Sequence, residues 1–278
     1  MISMVQPIPA GNALRLFLTP PSGAVAWRVL RKGSDAFDLP DDEAALRVYE
    51  GDEAVVVDAA CLQNEVMAFY RPFYRMADGS WLAGPTANGT PVATFEEHTT
   101  DVLSFVRDRL EAGLMVEVQR GNLAAELGYV QVYTAPPSLE QNLRFPLVTV
   151  HLESEAPGER AIGEDIAGDE FDAIGFEWLE SEGWLAQVQL AIMGWSLNSD
   201  ERIELRKALR RVVVANLPVF DAQGMSQINL SMQDTDAVSG EFNVNMYQVM
   251  ATFSCLAPVR VGHRVTPVSD ITSRSTNG

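Results

Sequence analysis

The chain has 278 residues, a formal net charge of −18, 47% hydrophobic residues and 21% charged residues. That length suggests about two domains, and the apolar share supports packed cores where a disordered chain would have far less to bury. So acidic a balance speaks against a surface that grips nucleic-acid phosphates, which needs an excess of cations.

Residues 12–84 read as short strands separated by turn chemistry. Leu14, Leu16 and Leu18 alternate ahead of Pro20, Pro21, Ser22 and Gly23, and Val25, Trp27 and Val29 follow at a period of two. Leu46 to Tyr49 and Ala54 to Val57 come next, divided by Glu50, Gly51 and Asp52. A longer strand carries Val66, Phe69, Tyr70, Phe73 and Tyr74, and Asp78-Gly79 turns the chain into Trp81. Turn signals at such spacing around a central tryptophan predict an antiparallel sandwich. Residues 85–94, rich in glycine and proline, are expected to be a linker.

The second half predicts a mixture of helix and strand. Thr99 or Thr100 is expected to cap a helix bearing Val102, Phe105, Val106 and Leu110 that stops at Gly113, with a short extension at Val116, Glu117 and Val118. Residues 129–133 and 145–152 are expected to be a strand pair joined through Pro136-Pro137. Residues 153–182 are mostly acidic and are expected to be a long mobile excursion.

Ala186, Val188, Leu190 and Ile192 alternate with Gln187 and Gln189, the period of a half-buried strand. That strand breaks at Leu197, Asn198, Ser199 and Asp200. Asn198 with Glu201 three residues on is a capping-box signature for a helix through Leu205, Leu209 and Val212, which Pro218 is expected to stop. Ile228, Leu230 and Met232 form a further strand. A one-residue shift of the apolar register between Met246 and Tyr247 predicts a bulge in the last strand. From Pro258 the chain is expected to be a polar tail.

The chemistry-bearing residues are sparse. His98, His151 and His263 stand at no metal spacing from a cysteine or from one another, and His151 is expected to be a hydrogen-bonded structural histidine. Cys61 and Cys255 are expected to remain reduced thiols, as in a cytosol. No glycine-rich phosphate loop or serine elbow occurs, so no catalytic, cofactor-binding or metal residue is assigned, and the chain is expected not to be an enzyme. The first 18 residues lack the basic start and apolar core of a signal peptide, and no apolar run approaches the ~20 residues of a membrane helix, so a soluble protein is expected.

One charged feature stands apart. Arg206 with Arg210, and Lys207 with Arg211, are spaced i,i+4 and form a basic face on the central helix. A solvated face is one reading. The other is a subunit or partner interface, matched by acidic residues of a neighbour such as Glu164, Asp165, Asp169 and Glu170.

Two resemblances add to these readings. Pro20-Pro21 after the first strand, Trp27 in the second and the pair Phe69-Tyr70 resemble a fibronectin type III or related immunoglobulin-like domain. The family's leucine-to-tyrosine corner spacing is not kept, since Ala68 stands six residues after Leu62. From Phe95 on, the helix from Thr99 to Leu110, the strand at Phe145, Pro146, Leu147 and Val148, the long acidic stretch, and the strand that breaks at Leu197 into a helix resemble the tail-terminator and tail-completion proteins of long-tailed bacteriophages.

The resemblances imply an N-terminal all-β sandwich at 1–84, a linker at 85–94, an α+β domain at 95–257 with an antiparallel sheet flanked by two helices, and a tail at 258–278. They imply a structural virion protein of the phage neck, assembled in the host cytoplasm. It would form a homo-oligomeric ring, commonly a hexamer, ending tube or sheath growth and meeting the head-tail connector and the tail tube or sheath proteins. Genomic DNA would pass the lumen without specific binding, and no membrane would be involved. Two other readings stay open: a collar, decoration or adhesion protein that binds through the sandwich, and a small α+β enzyme.

Overall fold

Alternation between buried and exposed positions decides most of this fold, because a strand with one face in a core fixes its own register. The computed structural model describes residues 1–135, 143–158, 170–237 and 246–265. Within them the chain is β-rich, with three sheets and few helices. It divides into two units. One is built on residues 1–96, with 172–179 and the chain from His263; the other is built on 97–171 and 180–262.

The first unit contains β1 (Ile2–Pro7), β2 (Leu14–Leu18), β3 (Ala24–Lys32), β4 (Leu46–Gly51), β5 (Val55–Asp58), β6 (Ala68–Met76), β7 (Trp81–Ala83) and β8 (Ala87–Gly89). They form two antiparallel sheets, β1-β2-β5 and β4-β3-β6-β7, with β8 also on β6. Leu14, Leu16 and Leu18, Trp27 and Val29, Val56, and Tyr70 and Tyr74 share one core between the sheets. The Trp27 ring meets Tyr74 edge-on with centroids 6.2 Å apart, while its indole N–H donates to the Glu53 carbonyl at 2.9 Å.

A buried polar cluster ties the two sheets together. The Asp58 side chain on β5 is wholly buried. It accepts hydrogen bonds from the Tyr70 hydroxyl on β6 at 2.8 Å, from Arg31 on β3 at 2.6 Å and from the Ala60 N–H at 3.1 Å. A buried carboxylate is tolerable only when satisfied in this way. Burial first, and then the bond to Asp58, push the Tyr70 phenol upward. The expected linker is corrected: β8 lies within 85–94, and Ala93 bridges to Ala10.

β9 (Glu96–Glu97) leads to α1 (Val102–Gln119), followed by β10 (Gln131–Tyr133), β11 (Leu147–Pro157), β12 (Glu170–Asp172), β13 (Glu177–Ser196), α2 (Ser199–Ala215), α3 (Leu217–Asp221), β14 (Ser226–Ala237) and β15 (Met246–Val265). The third sheet has the order β10-β11-β13-β15-β14, with β12 on β13 and β9 on β15. β11 runs antiparallel to β13, and β14 to β15. The expected all-antiparallel sheet is corrected at one edge, where β10 runs parallel to β11.

Val106, Leu110 and Leu114 of α1 and Leu205, Leu209 and Val212 of α2 bury against Val188, Leu190, Val249 and Phe253 of the sheet. The expected capping pair of α2 is present, with its return bond shifted to the residue before the cap. The Asn198 side chain accepts from the Glu201 N–H at 2.7 Å, and the Glu201 carboxylate accepts from the Leu197 N–H at 3.1 Å. Pro218 stands in the first turn of α3, after α2 has ended at Asn216. Phe220 of α3 is buried edge-on between Phe105 of α1 and Phe253 of β15, with centroids 6.1 and 5.6 Å away.

Five further expectations change. The cap of α1 is Asp101, which accepts from the Ser104 N–H at 3.2 Å. Thr99 is engaged with the Arg260 backbone, and the Thr100 hydroxyl with the Gln223 carbonyl. α1 does not stop at Gly113, because that glycine is where the helix lies against Val212; a Cβ there would come within 2.3 Å of Val212 Cγ1. Residues 153–157 and 170–172, expected within a mobile excursion, extend β11 and form β12.

The bulge expected near Met246 is absent from the pairing with β14, which runs unbroken from Met246 to Ser254; the irregularity lies between Ser226 and Asn229, at Gln227 with φ 50°. Phe242 and Val244, which the expectation also used, lie outside the described residues. The tail expected from Pro258 is corrected as far as Val265, which β15 reaches; residues 266–278 lie outside the described residues.

Candidate functional site

Helix α2 buries Leu205, Ala208, Leu209, Val212 and Val213 and leaves Arg206, Lys207, Arg210 and Arg211 at least partly exposed, while Arg202 is mostly covered. Two of the grooves beside the helix are lined by these exposed cations. The first, of about 590 Å³, lies between α2 and the edge strand β14. Its floor is Ile228, Leu230 and Met232, its wall includes Val214 and Leu217, and its rim carries Arg206, Lys207 and Arg210. The second, of about 730 Å³, runs between α1 and α2 and gathers Arg109, Arg120, Arg210 and Arg211.

Most of the predicted basic face already has an intramolecular use. Arg206 donates to Asp234 of β14 at 2.8 Å, where Arg202 approaches to 3.7 Å, and Lys207 to Glu204 at 2.9 Å. Arg211 donates through Nε at 3.0 Å and through Nη2 to Glu117 of α1, and Asn122 supplies a further bond to that carboxylate at 3.1 Å. The Arg211 bond holds the Glu117 carboxyl below the usual carboxylate range against the opposing effect of burial, and raises Arg211 in turn. Arg210 has no ion pair among the described residues and lines both grooves.

Arg206, Lys207 and Arg210 therefore share one groove, while Arg211 turns to the other. Of the expected acidic partners, Glu164, Asp165 and Asp169 lie outside the described residues, and Glu170 opens β12. The sequence reading missed Glu117 and Asp234 as partners because they are remote in the chain; Glu204 three residues before Lys207 was a usable signal. It read Ile228, Leu230 and Met232 as a strand but could not see that the strand is an edge.

The other expected sites stay apart. Nδ1 of His151 is buried without a hydrogen-bond partner, which corrects the expected hydrogen-bonded histidine. Cys61 and Cys255 are both free, Cys61 exposed and Cys255 buried, with burial pushing the Cys255 thiol up to about 11. Among the described residues no three His, Cys, Asp or Glu side chains gather at metal-binding distance, and no helix is long and apolar enough to cross a membrane.

No protein-family model and no curated protein matches the chain. Among solved structures, it is similar to the pectate lyase Pel3 of Pectobacterium carotovorum at 19% identity and a TM-score of 0.26, over 33% of this chain and 28% of that one. It is also similar to the pectate lyase PelI of Erwinia chrysanthemi, in complex with tetragalacturonic acid, at 12% identity and a TM-score of 0.25, over 31% and 26%. The chain thus spans under a third of the length of those proteins. These neighbours are enzymes, so the expectation that the chain is not an enzyme is withdrawn. At such TM-scores the likeness carries no argument for an activity either.

Proposed function

We propose that the chain is a structural virion protein of a long-tailed phage neck. It forms a ring at the head-proximal end of the tail that ends tube or sheath growth and joins tail to head connector. The observation that carries this reading is the first groove, an apolar floor rimmed by Arg206, Lys207 and Arg210, beside an edge strand on a chain of net charge −18. Copies so acidic repel one another, and a local cationic, apolar surface offers the complementarity that self-association needs. A sheet with α1 and α2 packed on it, in which α2 follows directly on β13, supports the tail-terminator resemblance.

The finer fold belongs to the same proposal. The first unit is a fibronectin type III-like sandwich, supported by the sheet orders β1-β2-β5 and β4-β3-β6-β7, and it projects as a decoration or collar contact. The acidic character of the ring keeps passing DNA from adhering to its lumen. Light scattering and negative-stain microscopy of the purified full chain test the reading. Closed rings of uniform size are the expected result, and a monomer at all concentrations would overturn it.

A further inference from the structure

Two stretches of the third sheet have unpaired backbone among the described residues. β14 neighbours β15 alone, so one side of its Ser226–Ala237 backbone is open. At the other end, β10 covers β11 only at Leu147, Val148 and Thr149, which leaves one edge of β11 open from Val150 to Pro157. Open edges of this kind accept another strand unless something blunts them.

The register shows what each edge presents on the face that carries the helices. Leu152 lies opposite Leu190, Glu155 opposite Val188 and Pro157 opposite Ala186. Those three partners belong to the core beneath α1 and α2, so Leu152 and Glu155 stand on the helix face of the sheet. Leu152 is 44% exposed, an apolar side chain without full cover. On β14, Ile228, Leu230 and Met232 pack on the same core and floor the groove under Arg206, Lys207 and Arg210.

We infer that a second copy of this chain lays the open edge of its β11 along β14, covering Leu152 on the Ile228–Leu230 floor and placing Glu155 under Arg210. Leu152 and Glu155 are two ladder steps apart across the irregularity between Leu152 and Ser154, about 7 Å, so both can lie along one edge of β14. Neither Glu155 nor Arg210 has an ion pair within its own chain among the described residues, so each is left to meet a partner. Different patches meet, so the contact is heterologous and repeats from copy to copy. Backbone hydrogen bonds supply affinity, and the Glu155–Arg210 pair fixes the register. The inference rests on the proposed self-association and names the surfaces that make it.

The test uses the full chain in sedimentation velocity at moderate salt, with circular dichroism as a check of folding. Glu155→Arg and Arg210→Glu are each expected to weaken association about fivefold to tenfold, in line with an exposed pair reversed in sign. The double variant, which restores opposite charges, is expected to recover most of it. Hydrogen exchange on the wild type gives a readout free of any substitution: amides of β14 should slow on assembly.

Rings that persist in both single variants, with β14 exchange unchanged, would overturn the edge pairing and leave the ring reading intact. Open filaments or dimers that show the charge-swap recovery would support the edge pairing and overturn the ring. A chain that stays monomeric would overturn both.

Discussion

Replacing Gly113 by alanine sets two effects against each other. Alanine favours a helix interior over glycine by about 1 kcal/mol, so on propensity alone the variant would be the more stable. The site opposes this. A Cβ on Gly113 would lie 2.3 Å from Val212 Cγ1, 2.7 Å from Cγ2 and 3.1 Å from Cβ, well inside the roughly 3.5–4.0 Å of a good carbon contact. Val212 is buried and branched at Cβ, so it has no free rotamer to retreat into. The two helices must separate, at an overpacking cost of about 2–3 kcal/mol. The net expectation is a loss of about 1–2 kcal/mol.

The companion change Val212→Ala removes both γ carbons and costs about 2 kcal/mol by itself. In the double variant the new methyl occupies the space vacated, so the losses should fall short of their sum by about 1–2 kcal/mol. Urea unfolding followed at 222 nm reads this, because α1, α2 and α3 all belong to the second unit. Additivity within about 0.5 kcal/mol, or a single Gly113→Ala variant more stable than the wild type, would refute the packing argument.

Asp58→Asn should destabilise the first unit by about 3 kcal/mol, because Arg31 and Tyr70 lose the charge that both address. An unchanged thermal transition would show that they find other partners. The Glu117–Arg211 pair makes stability depend on acid. The bond from Arg211 holds its carboxyl below the usual glutamate range, so its contribution is complete above that range and is lost as pH falls through the depressed value. The wild type should therefore lose stability on acidification below about pH 5 that Glu117→Gln does not lose, measured as the urea midpoint against pH. Parallel curves would remove the pair from the account.

What could be read from the sequence was whatever its own neighbours decide. Leu14, Leu16 and Leu18, or Val188, Leu190 and Ile192, announce strands because each alternation puts one face in a core. Asn198 and Glu201 announce the start of α2 because both capping partners lie within four residues. The start of α1 was not legible in the same way. Thr99 and Thr100 are as good caps as Asp101 when seen locally, and only Arg260 and Gln223, 161 and 123 residues away, draw their side chains elsewhere. Gly113 read as a stop because the reason for it, Val212, is likewise distant. The basic face was visible as a charge pattern, but Glu117 and Asp234, which hold Arg211 and Arg206, come from other elements.

Phe220 has a kinetic meaning beyond its packing. It wedges the short α3 between α1 and β15, directly after the residue that ends α2 and that receives Arg109 of α1 at 2.7 Å. Helices held on several sides do not have to be ordered when something arrives at their surface, so the entropy otherwise lost on binding was surrendered at folding. Encounters at the α2 grooves should therefore succeed or fail on orientation and charge, with association rates that respond to salt far more than to conformational relaxation.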